Sequence, residues 1–212
     1  MITEIRIRFN QVLETWKEKG VFYLFNIYVF VNREIIPVVM DLNSLKPHAL
    51  SAERGNFKLI EILKDRIENT RFVYPFKSRY LKMLRNLNKG YKGFAIVKGD
   101  EVIGDIWYVS VNNFGTRMKH PDLKLLDIHL NKNDVYMFDM YVKPEERGGG
   151  VVNFLLGSAL NELKEKGFIK VYGYYMAHNI PALWVHRMLG YKEMKRLKWN
   201  RLILIKWRAD RK

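Results

Sequence analysis

The feature that most constrains the fold is a run of three glycines, Gly148 to Gly150, between a strand pattern and a helix pattern. The residues before it, 135–142 (VYMFDMYV), are rich in the β-branched and aromatic side chains that favour strands. The residues after it, 151–166, repeat apolar side chains at helical spacing. Successive glycines let the backbone turn sharply and bring its N–H groups close to a ligand. The pattern therefore predicts a strand, a tight turn and a helix whose first N–H groups suit an anion such as pyrophosphate.

Two common nucleotide-binding loops do not fit this turn. It lacks the Lys and Ser/Thr of a P-loop, and it lacks the spaced glycines and the downstream acidic residue of a dinucleotide fold. An isolated glycine-rich turn is also typical of an ordinary tight connection. A second motif is therefore needed before the turn indicates a function.

The second motif is NIPALWVHRMLGY, Asn179 to Tyr191, which is expected to join a strand to a short helix and then to another strand. Together the two motifs resemble the GNAT acyltransferase superfamily. Its members carry Arg/Gln-x-x-Gly-x-Gly/Ala after a strand, then Asn-x-x-Ala, and then Gly-Phe/Tyr. The matching positions here are Arg147, Gly150, Asn179, Ala182, Gly190 and Tyr191. The resemblance covers roughly residues 37 to 207 and is more specific than either motif alone.

This resemblance implies an acyl-CoA co-substrate, acetyl-CoA in the simplest case, and a place for each part of it. The edge of the strand at Met140, Tyr141 and Val142 would pair with the pantetheine amides, and Asn179 and Ala182 would contact the same arm. The pyrophosphate would be held by the backbone of Arg147, Gly148, Gly149, Gly150, Val151 and Val152.

Two residues are candidates for proton transfer. His186 stands where many relatives have a Tyr that protonates the departing thiolate, and imidazole can donate a proton near neutral pH. The alternative role for His186 is packing or contact with CoA. Asp139, in the strand before the glycine turn, is the candidate that accepts the proton of the attacking amine. An acidic region that could steer a cationic amine contains Asp122, Asp127, Asp134 and Asp139.

Composition removes several classes of function. The chain has no cysteine, so it has no disulfide, no thiolate nucleophile and no cysteine-ligated metal. Its histidines show no metal-ligand spacing, so no metal is expected. The net charge of +15 suits CoA phosphates, anionic lipid, nucleic acid or solubility. Nucleic acid is the weakest of these interpretations, because no helix-turn-helix, zinc or RNP-like signature is present.

Three functions remain open at this stage. The first is an N-acetyltransferase with a small-molecule amine as acceptor. The second is a membrane-associated acyltransferase that acts on a lipid or envelope precursor. The third is a non-catalytic basic protein that binds nucleic acid.

The predicted organisation is an N-terminal amphipathic and apolar appendage, residues 1–33, followed by an acyltransferase domain, residues 34–212. The expected fold class is α/β (α+β), with a mixed, mostly antiparallel central sheet flanked by helices. The apolar segment Val21 to Val31 has eleven residues, fewer than the roughly 20 that a membrane-spanning helix needs. A cytoplasmic protein is therefore expected, and membrane-surface contact or homodimerisation through the appendage stays open.

Local patterns predict the remaining elements. Gly99 lies between two apolar runs and indicates a hairpin, because it can take the positive φ of such turns. A final hairpin is predicted to turn near Lys198 to Asn200. The predicted helices are Ile5–Lys19, Asn56–Asn69, Ser78–Leu87, Val151–Lys166 and Pro181–Leu189, and the predicted strands include Pro37–Leu45, Gly93–Val97, Val102–Val111, Val135–Val142 and Ile169–Tyr175.

Overall fold

The computed structural model describes residues 2–19, 30–45, 57–63, 73–111, 120–148, 150–202 and 205–209. The helices are α1 (Ile2–Lys19), α2 (Lys77–Asn88), α3 (Pro121–Leu126), α4 (Val151–Glu165) and α5 (Ile180–Leu189). The strands are β1 (Phe30–Asp41), β2 (Lys58–Ile62), β3 (Lys92–Lys98), β4 (Glu101–Ser110), β5 (Asp134–Val142), β6 (Lys170–Met176), β7 (Lys192–Glu193), β8 (Leu197–Leu202) and β9 (Ile205–Ala209). Short 3-10 helices follow β1 and β5, at Leu42–Ser44 and Pro144–Glu146.

The nine strands found among the described residues form one sheet, in the spatial order β2-β3-β4-β5-β6-β1-β8-β9, with β7 paired to β1. Every neighbouring pair of these strands is antiparallel except β5 and β6, which are parallel. The helix α4 connects the two parallel strands, as a crossover between parallel neighbours requires. The prediction of a mixed, mostly antiparallel α/β sheet is confirmed.

The sheet is buried on both faces, and β5 shows how the sequence achieves this. Successive side chains of a strand point to opposite faces. Val135 and Met137 pack into the cluster that contains Leu155 and Leu160 of α4. Tyr136 and Phe138 pack into the second cluster, together with Met83 and Leu87 of α2. A strand buried on both faces reads as a continuous apolar run, and this explains the composition of β5.

The helix α1 lies antiparallel against α2. Near one end, the Glu4 carboxylate accepts a hydrogen bond from Arg85 Nη1 at 2.9 Å, and near the other the backbone N–H of Ser78 donates to Glu14 at 3.0 Å. Three apolar side chains of α1, Ile5, Phe9 and Trp16, are exposed by 52, 63 and 53%. Ile7 is buried. Whether residues 1–33 act as an appendage stays a prediction.

Two local predictions are wrong. The helix predicted over Asn56–Asn69 contains the strand β2, whose Ile60 pairs with Ala95 of β3. Pairing with a neighbouring strand overrides the weak local preference for a helix in this segment. The turn predicted near Lys198 to Asn200 lies inside β8, where these residues pair with β1 on one side and β9 on the other.

Parts of two predicted segments lie outside the described residues: positions 21–29 of the apolar segment that follows α1, and positions 56 and 64–69 of the helix predicted over Asn56–Asn69. The last two residues of the apolar segment, Phe30 and Val31, belong to β1. The connection between β4 and β5 contains a short helix, α3. None of the described helices combines the length and the apolar character that crossing a membrane requires.

Candidate active site

The two parallel strands at the centre of the sheet separate soon after they meet. Their pairing covers only Asp134 to Tyr136 of β5 and Lys170 to Tyr172 of β6. Beyond these residues a cavity of about 220 Å³ opens between the strands. It is lined by residues of β5, β6, α4 and α5, among them Met140, Tyr175, Asn179, Ala182 and His186. The cavity therefore brings together the strand edge and the second motif that the sequence singled out.

A β-bulge in β5 accompanies this separation. Trp107 of β4 pairs with Phe138 and Asp105 pairs with Tyr141, so two residues of β5 stand opposite one of β4. Asp139, the first of the two, has φ 53°. Few residues other than glycine adopt this left-handed conformation. A bulge bends its strand and increases its twist, which carries the end of β5 away from β6.

A buried ionic network holds the bulge. Arg79 Nη1 donates to Asp139 Oδ1 at 2.9 Å, and Arg79 Nη2 donates to the Asp139 carbonyl at 3.2 Å. The same guanidinium pairs with Asp105 of β4. Lys82 Nζ donates to Asp139 Oδ1 at 3.0 Å. Two cations from α2 therefore fix two carboxylates on neighbouring strands.

This network decides the protonation state of Asp139. Burial alone would raise the pKa of Asp139, but Arg79 and Lys82 outweigh it and hold that pKa well below its ordinary value. A carboxylate with so low a pKa is a weak base. The geometry therefore disfavours the proton-accepting role expected for Asp139 and favours a role in fixing the bulge.

The glycine turn leads from the end of β5 into α4. Gly150 has φ 79° and is the N-cap residue of α4. Neither Gly148 nor Gly150 has an atom within 4 Å of where a Cβ would stand, so the turn borders open space. Gly149 lies outside the described residues. The first intrahelical bond is donated by Phe154 to the Gly150 carbonyl, and the N–H groups before it have no partner within the helix.

The side chains of the residues around the turn pack inward, so backbone groups form the outer surface of the turn. Val151 is buried, and Val152 packs against the same core cluster as α4. Arg147 folds back and donates from Nε to the Val142 carbonyl at 2.9 Å, which ties the turn to the end of β5. The turn therefore presents N–H groups and the positive end of the helix dipole, as an anion site requires.

The expected pantetheine edge, Met140 to Val142, lies beyond the bulge. Tyr141 and Val142 pair with Asp105 and Gly104 of β4 on one side. On the other side the pairing with β6 has already ended, and Met140 lines the cavity. An extended ligand that carries amide groups can pair with such a strand edge.

Asn179 begins the helix α5 and lines the cavity. Its Oδ1 accepts a hydrogen bond from the backbone N–H of Ala182 at 3.2 Å. An N-cap residue of this type satisfies one of the first N–H groups of a helix. The role of Asn179 in positioning the helix is therefore visible in the structure, and its side-chain NH₂ group is the part that can serve a ligand.

His186 lies one turn after Ala182, between the rings of Tyr175 and Tyr191 at 5.1 and 4.9 Å. Its Nδ1 is 2.6 Å from the Ala182 carbonyl. A carbonyl only accepts, so Nδ1 carries the proton, and Nε2 of the neutral ring is an acceptor. Burial lowers the pKa of His186, although the bond to Ala182 opposes this. The acid role needs the imidazolium, which burial disfavours, so that role stays a prediction.

A second cavity, of about 440 Å³, lies between α1, α2, α3 and the sheet. It meets the first cavity at Phe138, Asp139 and Tyr174, which line both. Tyr174 is a site residue that the sequence motifs did not single out. The two cavities therefore share part of their lining where the strands separate.

The predicted acidic region is not a single surface. Asp122 and Asp139 line the second cavity. Asp134 is buried and accepts from the Asn131 backbone N–H at 2.9 Å, and Asp127 caps the end of α3 in a left-handed conformation. Hydrogen bonding and capping give these two residues structural roles, and their part in steering an amine stays a prediction. Across the parts of the chain that are described, no three His, Asp or Glu side chains are grouped to hold a metal ion.

Comparisons with known proteins agree with this geometry. The family model "Acetyltransferase (GNAT) family" matches residues 59–191, more than half of the chain. Comparison with curated protein sequences finds no match.

Several solved structures share the fold. A GCN5-related N-acetyltransferase from Sphaerobacter thermophilus is 13% identical, with a TM-score of 0.52, and the alignment covers 88% of this chain and 57% of that one. A tandem GNAT protein from the clavulanic acid biosynthesis pathway is 14% identical, with a TM-score of 0.54 and coverages of 81 and 54%. The glucosamine N-acetyltransferase region of a fungal multi-domain β-N-acetylglucosaminidase is 14% identical, with a TM-score of 0.55 and coverages of 87 and 22%.

At these identities the likeness concerns the fold alone, and the chain spans little more than half the length of the first two of these structures. The family match stands on the sequence itself and includes the glycine turn, Asn179 and Tyr191. With the separated parallel strands and the bulge at Asp139, these observations lead to one conclusion. The chain belongs to the acetyltransferase (GNAT) family.

Proposed function

We propose that the protein transfers an acyl group, acetyl in the simplest case, from acyl-CoA to the amine of a small molecule. The observation that carries this proposal is the cavity between β5 and β6, which opens beside a strand edge whose end carries the glycine turn. The backbone of the turn suits the pyrophosphate, and the edge at Met140 to Val142 suits the pantetheine amides. The acyl group would then lie near Phe138, Asp139 and Tyr174, where the two cavities meet.

The reaction is a direct attack. The lone pair of the neutral amine forms a C–N bond to the thioester carbonyl carbon, and the C–S bond breaks. The nitrogen loses one proton to a base or to water, and the departing thiolate gains one. Chemistry of this kind requires the amine to be held close to the thioester, and two cavities that share Phe138, Asp139 and Tyr174 in their linings suit that requirement.

Lys82 is better suited than Asp139 to accept the amine proton. It lines the second cavity, and its Nζ is 3.0 Å from Asp139 Oδ1. Burial lowers the pKa of Lys82, and the positive charges of Arg79 and Arg85 lower it further, although Asp139 opposes them. A lysine with a lowered pKa is neutral more often at a given pH and can act as a base. We therefore assign proton acceptance to Lys82 within this proposal.

The proposal is tested first by binding. A ligand that binds only the folded state stabilises it by about 2.7 kcal/mol at 100 times its Kd, so CoA and acetyl-CoA are expected to raise the melting temperature. Gly150→Asp adds bulk and negative charge at the expected pyrophosphate position and should abolish the shift. Gly167→Asp is the control, because Gly167 also has positive φ and open space around it but lies after α4, away from the turn.

Activity is tested by thiol release from acetyl-CoA with a panel of amines. Absence of CoA binding at millimolar concentration would contradict the proposal. Salt-sensitive binding of nucleic acid without CoA binding would favour the non-catalytic alternative. Transfer only to acceptors presented in lipid vesicles would favour the membrane-associated alternative.

A further inference from the structure

Charged side chains are distributed unevenly around the second cavity, and this distribution indicates the chemical class of the acceptor. Its charged lining comprises four cations and three carboxylates: Arg8, Lys82, Arg85 and Lys89, with Glu4, Asp122 and Asp139. His120 also lines it, 3.9 Å from Asp122. The charges are not evenly spread, because the two ends of the cavity differ in what their carboxylates contact.

At the end next to the first cavity, the carboxylate is already neutralised. Asp139 is bound by Arg79 at 2.9 Å and by Lys82 at 3.0 Å. The charge of the Asp139 carboxylate is already balanced by the Arg79 guanidinium group, so this carboxylate attracts a cationic amine only weakly. This end therefore suits a neutral amine, which is the form that attacks a thioester.

At the opposite end, cations outnumber carboxylates. Glu4 pairs with Arg85 at 2.9 Å. Burial raises the pKa of Glu4, but Arg85, Lys89 and Arg8 together outweigh it and lower that pKa. Arg8, Arg85 and Lys89 therefore outnumber Glu4, and they still outnumber the carboxylates when Asp122, the third carboxylate of the lining, is counted with it. Arg8 donates to the neutral Gln11 at 3.1 Å, so its charge is not cancelled by that contact.

The distance between the two ends follows from the helix α2. Lys82, Arg85 and Lys89 are spaced by three and four residues, so they lie along one face of the helix. Seven residues at 1.5 Å per residue separate Lys82 from Lys89 by about 10 Å along the axis. The wall between them is apolar and aromatic: Ile7, Tyr91 and Phe138 are buried, and the rings of Tyr91 and Phe138 are 5.2 Å apart.

We propose that the acceptor is an amine with an apolar body and an anionic group, a carboxylate or a phosphate, about 10 Å from the nitrogen. Arg8 and Lys89 bind the anionic group, the aromatic wall contacts the body, and the amine lies where the two cavities meet. This inference rests on the proposed acyl transfer and names the chemical class of its acceptor.

The test uses matched pairs of ligands. Each ω-amino carboxylic acid of a graded length series is paired with its primary amide, and each aminoalkyl phosphate with its alcohol. Binding of each member to the CoA-saturated protein is measured by titration calorimetry. We expect the charged member of the best pair to bind about tenfold tighter or more, as a hydrogen bond to a charged group implies. The carboxylate and phosphate arms show which anion the site prefers.

In the double variant Arg8→Gln and Lys89→Gln, the ratio of the affinities of the charged and uncharged members of a pair should fall toward one. Lys164→Gln combined with Lys170→Gln removes the same charge from two exposed lysines outside the cavity lining and should preserve the ratio. Equal affinities within each pair, an unchanged ratio in the Arg8 and Lys89 variant, or binding by neither member would overturn the inference.

Failure of the proposed function gives a different result. In that case CoA itself does not bind, or no amine releases thiol from acetyl-CoA. The titrations are therefore repeated without CoA, so that the preference for the charged ligand of each pair is measured even if CoA does not bind.

Discussion

The guanidinium group of Arg79 holds Asp139 twice, through the carboxylate at 2.9 Å and through the backbone carbonyl at 3.2 Å. The second contact fixes the peptide that follows the left-handed residue of the bulge. Arg79 comes from α2 and Asp139 from β5, so a helix on one face of the sheet sets the conformation of the strand that lines the site. The residue that shapes the cavity therefore lies outside both sequence motifs.

Replacing Arg79 should destabilise the protein strongly. Arg79→Met leaves the buried Asp105 and the partly buried Asp139 with only Lys82 nearby, and removing one partner of a buried ion pair costs about 3–5 kcal/mol. The free energy of unfolding in urea measures this loss. Arg187→Met is the control: its 2.9 Å contact with Glu193 is similar, but Arg187 is 53% exposed, and such surface pairs contribute about 1 kcal/mol or less. Equal effects of the two substitutions would contradict the structural role of Arg79.

The pH dependence of kcat/KM separates Lys82 from Asp139 as the proton acceptor. With a weakly basic amine, the rate should rise with pH as Lys82 loses its proton. Asp139→Asn removes a negative charge that favours the protonated lysine, so this rise should move to lower pH. Lys82→Met should eliminate the rise and lower kcat by about 10²-fold. If the rise of the rate with pH disappears in Asp139→Asn but persists in Lys82→Met, Asp139 is the base instead of Lys82.

His186 should make stability depend on pH in the mildly acidic range. Burial lowers the pKa of folded His186 below its ordinary value of 6.5, so the unfolded chain binds more protons between the two pKa values. The free energy of unfolding therefore rises with pH across that interval, and the contribution is lost as pH falls below 6.5. His186→Phe should flatten this part of the profile. An unchanged slope in urea titrations of the variant would show that His186 is not buried as a neutral ring.

Two neighbouring glycines should differ in their tolerance of alanine. Gly150 has φ 79°, and a left-handed conformation costs a residue with a Cβ about 1–2 kcal/mol. Gly148 does not share this conformation, and both positions have open space around them. Gly150→Ala should therefore lower the free energy of unfolding by about 1 kcal/mol, whereas Gly148→Ala should leave it unchanged or slightly raised. Thermal unfolding without ligand measures the difference, and equal stabilities would refute the strain at Gly150.

Much of the site could be predicted because its parts are close in sequence. The glycine turn and Asn179 lie in short strand-to-helix connections, and His186 lies in the short helix that follows Asn179, so their glycine and helix signals are visible locally. The structure places Asn179 and His186 in the lining of the cavity beside β5 and the turn at the end of that strand. The hairpin predicted at Gly99 is confirmed, and this glycine has φ 60°. It could be predicted because its signal is also local.

The ionic network could not be predicted in this way. Arg79 and Asp139 are 60 positions apart, and Arg79 and Asp105 are 26 apart. An arginine in an amphipathic helix has the same pattern whether it faces water or a buried carboxylate. The one local signal was an acidic residue inside an apolar strand, because a buried carboxylate needs a charged partner. That signal indicated a special position for Asp139 but not its role.

The pairing of β5 with β6 over only three residue pairs also bears on how the molecule holds together. The strands β2 to β5 lie on one side of this junction, and β6, β1, β8 and β9 lie on the other. Along the rest of the junction, no direct ladder of hydrogen bonds joins β5 to β6 among the described residues. A ligand that hydrogen-bonds to both strands there acts as a missing strand of the sheet. Its binding energy then resists relative movement of the two halves of the sheet. The backbone amides of β5 and β6 beside the gap should therefore exchange hydrogen more slowly when the ligand is bound.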